Sequence, residues 1–126
     1  MEAVNWSLDD GEELAALYPK TFLIAPRETR VRLEPGEYAK AIFRFPSAQH
    51  ENGEAVERMW LIVHSNDNGR YIGRLANEPA SKPDDLRLAH GAWIEFEARH
   101  IINWENASEE SRAAVENPDA DFWTGV

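Results

Sequence analysis

Cysteine is absent from the 126 residues, which excludes disulfides, thiolate metal ligands and a cysteine nucleophile and fits a reducing compartment. No apolar run approaches the roughly 18 residues that span a bilayer. The opening Met1-Glu2-Ala3-Val4-Asn5-Trp6-Ser7 has acid where a secretory leader has base, with no apolar stretch behind it. Together these readings predict a cytoplasmic protein with no membrane partner. Basic residues are scarce as well: 13 Lys and Arg against 23 Asp and Glu leave a net charge of −10. That is the wrong sign for neutralising nucleic-acid phosphates, so no nucleic-acid partner is expected.

Present instead is 43% hydrophobic content, with five Trp, three Tyr and five Phe, enough for the core of one domain spanning 1–126. The charge is unevenly spread. Residues 1–20 sum to −4, residues 21–104 to −1 and residues 105–126 to −5. A nearly neutral body thus carries two acidic arms, which either solvate the protein or answer a basic protein partner.

Acids crowd the start of 11–18, Leu14 and Leu17 or Tyr18 recur at helical spacing, and Pro19 stops the run, so a short amphipathic helix is predicted. From Thr21 the period becomes two, and Arg30-Val31-Arg32-Leu33 reads as a half-buried strand. Pro35-Gly36 makes a turn into a strand over 38–45, and 46–55 is a loop. Residues 58–64 are the most continuously apolar run and predict the central strand, with Trp60 in the core. Asn68-Gly69 then turns a hairpin into 70–77, within which Gly73 predicts a bulge or sharp bend. Residues 93–98 alternate again with Ile94, Phe96 and Ala98 on one face, and Asn106 or Ser108 caps a helix to about Glu116. Terminal helices around five or six short strands predict an α+β fold: a small, strongly bent antiparallel sheet or SH3-like barrel or roll with a short helix at each end. The β body is expected over 21–104, with the acidic helical arms at 1–20 and 105–126.

No nucleophile elbow, phosphate loop or dinucleotide fingerprint occurs, and the four histidines lack any spacing that aims two rings at one metal. Catalytic residues, metal and cofactor are therefore all predicted absent. Glu57, Glu95 and Glu97 would pair as carboxylates only in one particular sheet register, and His64 and His100 stand at strand ends that could converge.

The aromatic placement is more informative. Trp6, Trp104 and Trp123 lie in or beside the acidic arms, where they either pack the arms onto the body or form an anchor for another protein. Asn77, with Glu78 beside it, either ends a strand through turn geometry or faces a ligand. The predicted binding residues are Trp6, Asn77, Glu78, Trp104, Glu109, Glu110 and Trp123.

Glu57-Arg58-Met59-Trp60, then Gly73-Arg74-Leu75-Ala76-Asn77-Glu78-Pro79, then Leu88 and Gly91 with Trp93-Ile94-Glu95-Phe96, and finally Ile101-Ile102-Asn103-Trp104 stand in a recognisable order. By these motifs the chain resembles the YegJ-like family of bacterial domains of unknown function, over about half its length. Ala92 replaces the acid usual after the late glycine. The resemblance implies a recurrent bacterial module and no reaction. The expected function is a non-enzymatic protein-interaction or regulatory, immunity-like module with an acidic surface; the alternative is a small-molecule-binding domain or an unrecognised hydrolase.

Overall fold

The computed structural model describes residues 4–124. The chain begins with the short strand β1 (Ser7–Leu8) and helix α1 (Gly11–Leu17). Asp10 caps α1 by accepting the Glu13 N–H at 3.0 Å, and Glu12 and Glu13 lie in the positive first turn, where the sequence predicts that acids crowd the helix start.

The strand expected over 30–33 does not form. Its first residue ends a one-turn helix, α2 (Arg27–Arg30), and among the described residues no strand pairs with 31–33. Side chains take the place of a ladder. The Tyr71 hydroxyl donates to the Arg30 carbonyl at 2.6 Å and accepts the Leu33 N–H at 3.0 Å, while Asn66 Nδ2 donates to the carbonyls of Val31 and Leu33. Arg30, expected on a solvated face, is only 5% exposed. Its guanidinium donates to Ala25 O, Ala98 O and Glu12, which satisfies a charge that burial would otherwise strand.

The remaining strands make a curled antiparallel half-barrel: β2 (Tyr38–Pro46), β3 (Glu54–Asp67), β4 (Arg70–Leu75), β5 (Trp93–Glu97) and β6 (Asn103–Glu105). The order is β1-β2-β3-β4-β5, and β6 also pairs with β2, alongside 38–40, while β1 pairs with 43–44 of the same strand. The β3–β4 hairpin turns through Asn68 and Gly69, both at positive φ (52° and 89°), which is what a two-residue turn of this hand requires. The expected bulge falls on the partner strand. Register slips between Val63 and Ser65, leaving His64 as the extra residue, while Gly73 sits opposite Val63. Gly73 has its own reason: a Cβ there would lie 2.6 Å from the Ile62 carbonyl oxygen, so the strands can approach only because it has none.

Alternation gives the sheet two faces. The inner one buries Ala39, Ala41, Phe43 and Phe45 of β2 against Met59, Leu61 and Val63 of β3, Tyr71 and Leu75 of β4, and Ile94 and Phe96 of β5. A smaller cluster lies on the other face, where helices α3 (Glu109–Glu116) and α4 (Asp121–Thr124) cover Ile62 with Ala114 and Trp123. Ser108 caps α3 through the Ser111 N–H at 3.0 Å. Trp60 is on this outer face and half-buried, which corrects its assignment to the core. Trp123 is the more buried of the two, 8% exposed, with its Nε1 donating to the Ala114 carbonyl.

Candidate functional site

The motif residues on β3 and those after β4 bond to one another. Asn77 Oδ1 accepts the Trp60 N–H at 2.5 Å, and the Glu57 carboxylate accepts the Ala80 and Ser81 N–H groups, each at 2.8 Å. Two side chains thereby fix the loop after β4 to β3 and supply acceptors that no further strand provides. One end of Asn77 therefore has a structural task.

This clamp shapes a pocket of about 230 Å³ lined by Tyr38, Trp60, Ala76, Asn77, Glu105 and Phe122. Tyr38 meets Trp60 edge-on with ring centroids 6.3 Å apart, and its hydroxyl lies 3.0 Å from Ser108 Oγ at the start of α3. Glu105 is opposite Tyr38 in the β6–β2 register. The Lys40 ammonium sits 5.2 Å from the Trp60 ring centre, so this ring already receives a cation on one side. Of the predicted binding residues, Asn77 lines this pocket, exposed Glu78 follows it in the chain, and Glu109 and Glu110 open the helix that Ser108 caps. Tyr38, Glu105 and Phe122 were missed, because only the register brings β2, β6 and α4 to the same side of β3.

The other predicted residues lie elsewhere. Trp6 and Trp104 are half-buried against the inner core, with the Arg87 guanidinium 5.9 Å from the Trp6 ring. Trp123 belongs to the outer cluster, where Arg74 fills the space between it and Trp93, with Cζ 4.2 Å and 4.9 Å from the two ring centres. Arg74 Nε also donates to Gly91 O at 2.9 Å. His64 packs edge-on to Trp93 at 4.7 Å, and its Nε2 is buried with no hydrogen-bond partner among the described residues. Burial, aided by the nearby Arg74 charge, holds its pKa below the usual histidine value.

The acidic arms differ in what they meet. In the first, Asp9 pairs through both oxygens with Arg44, Glu12 binds Arg27 and Arg30, and Asp10 lies 3.4 Å from Arg99. The hydrogen bonds that Arg44 donates to Asp9, then the one to Glu54, push its pKa up. In the second arm, among the described residues, Glu105, Glu109, Glu110 and Glu116 form no salt bridge. Asp9, Asp10 and Glu12 are thus paired with internal arginines, whereas Glu105, Glu109, Glu110 and Glu116 are not.

The carboxylates weighed as a pair do not converge. Glu57 faces backbone amides, whereas Glu95 and Glu97 line a separate recess with Asp67, Arg70 and His100. His64 and His100 likewise have different neighbours: His100 Nδ1 accepts the Glu97 N–H at 3.0 Å, and burial, the largest influence, lowers its pKa. Among the described residues no group of three or more His, Cys, Asp or Glu could hold a metal ion, and no helix is long and apolar enough to cross a membrane.

Fold and site define a small α+β domain with an aromatic pocket beside an acidic helix. Residues 10–114 match the family described as an uncharacterized protein conserved in bacteria, DUF2314, and the chain belongs to it. The match takes in the Glu57–Asn77 clamp and the first turn of α3, and leaves out Trp6 and Trp123. No curated protein and no solved structure matched the chain significantly.

Proposed function

We propose that this protein is a non-enzymatic interaction module, regulatory or immunity-like, that meets a basic protein partner with its C-terminal acidic face. The observation that carries the reading is the contrast between the arms: among the described residues Glu105, Glu109 and Glu110 form no salt bridge, and Glu105 lines a pocket walled by aromatic rings. At about 230 Å³ the pocket is below the range typical for small-molecule sites and suits one inserted side chain. A lysine or arginine fits its chemistry, since ring faces and the Glu105 carboxylate both attract a cation. Glu78, Glu109 and Glu110 supply the rim that steers the partner in.

A cytoplasmic setting belongs to the same proposal, supported by the cysteine-free composition. So does the narrower YegJ-like likeness, supported by the Glu57-Arg58-Met59-Trp60 and Asn77-Glu78-Pro79 motifs that the clamp joins. The test is capture from bacterial lysate at low salt with the native protein and with the E105Q/E109Q/E110Q variant. A basic protein held by the native form and lost from the variant supports the reading. Identical captures by the two overturn it.

A further inference from the structure

Lys40 and Arg58 stand on the outer face of neighbouring strands, one opposite Trp60 and the other opposite Ile42. Both line a groove of about 400 Å³ whose other walls are the loop 21–25, Ile102 and Asn103. Among the described residues no Asp or Glu lines this groove. Among the described residues neither cation makes a salt bridge, whereas Arg27, Arg30, Arg44, Arg87 and Arg99 all do. An aromatic ring attends each one instead: Lys40 Nζ is 5.2 Å from the Trp60 ring centre and Arg58 Cζ is 5.6 Å from that of Phe22. Ring faces orient a cation without neutralising it. Asn103 uses its Oδ1 to accept the Trp104 N–H at 2.9 Å, which leaves its amide N–H groups to donate, and Thr21 adds a hydroxyl. In a chain of net charge −10, two cations and two neutral donors share one groove with no carboxylate among the described residues to oppose them.

We propose that this groove binds the oxyanion of a small molecule, a carboxylate or a phosphate. Arg58 supplies a two-point fork and Lys40 a point charge, with Asn103 and Thr21 completing the donor set. The ligand is distinct from the basic partner proposed above, and the two sites adjoin across Trp60, which lines the pocket while Lys40 lines the groove.

The experiment titrates ¹⁵N-labelled protein with inorganic phosphate and, separately, with acetate, sodium chloride holding the ionic strength constant. Saturable amide shifts confined to residues 21–25, Lys40, Arg58 and Asn103 are expected, and K40Q/R58Q should weaken binding by about tenfold or more. Tighter phosphate points to a phosphorylated ligand and tighter acetate to a carboxylate; either supports the site. R58K, which keeps the charge and loses the fork, should bind with intermediate affinity and stands in should the double variant not fold. Shifts that match those from chloride alone, or an affinity unchanged in K40Q/R58Q and R58K, overturn the proposal. Neither result bears on the acidic face, whose test uses a different set of residues.

Discussion

The side-chain oxygen of Asn77 accepts the backbone N–H of Trp60 at 2.5 Å, so a residue beyond the end of β4 holds in place the ring that walls the pocket. Asn77→Ala leaves that N–H without its acceptor and should cost about 1–2 kcal/mol in urea unfolding. It should also shift the Trp60 indole resonance. A stability change below about 0.3 kcal/mol with an unmoved indole would show that the bond holds nothing.

Trp123→Ala should destabilise the protein more than Trp60→Ala, the reverse of what the strand pattern alone suggests. Trp123 is nearly buried, donates its indole N–H to Ala114 and faces the Arg74 guanidinium. Its truncation should cost about 3–5 kcal/mol. Trp60, half-exposed, should cost about half as much. Equal losses, or a greater loss at Trp60, would return Trp60 to the core.

Arg30 and Arg32 occupy equivalent places in the sequence alternation and opposite ones in the fold. Arg30→Ala removes donors to Ala25 O, Ala98 O and Glu12 and should cost about 2–4 kcal/mol. Arg32→Ala, at an exposed position, should stay within about 0.5 kcal/mol. Thermal melts of the two variants separate these outcomes directly.

That pair also shows where the sequence stopped being readable. The Asn68-Gly69 turn, the Ser108 cap and the alternation of β2 and β5 are local, so their residues announce them. The segment after α2 imitates a strand, but its backbone is satisfied by Tyr71 and Asn66, 33–41 residues away, and no period reports that. Trp60 was misplaced for a related reason. Alternation says that two faces exist, and only the docking of α3 and α4 decides which one is half open. The Asp9–Arg44 pair, formed across 35 residues, likewise neutralises charge that composition shows as free. Asn77 was visible as a site residue from its motif, whereas Tyr38, Glu105 and Phe122 needed the register.

Acidification should weaken the fold above the range where carboxylates titrate. His64 and His100 both have folded-state pKa values lowered by burial, against about 6.5 when unfolded. Below that value the unfolded chain binds more protons, so stability is fully present above about pH 6.5 and is lost as pH falls towards the folded values. His64→Phe should keep the contact with Trp93 and remove the unpartnered nitrogen, flattening part of the decline between about pH 6.5 and 5. Melting temperatures across that window check the sign. A decline as steep in the variant as in the native protein would assign the effect to His100 and other groups.

The most direct measurement for the acidic face is an amide-shift titration with a decalysine peptide at low and at moderate salt. Saturable shifts are expected, centred on Tyr38, Ala76, Asn77, Glu105 and the first turn of α3, weakened by salt and abolished by E105Q/E109Q/E110Q. Shifts centred instead on Asp9, Asp10 and Glu12, or spread evenly over every exposed carboxylate and indifferent to the triple variant, would contradict that expectation.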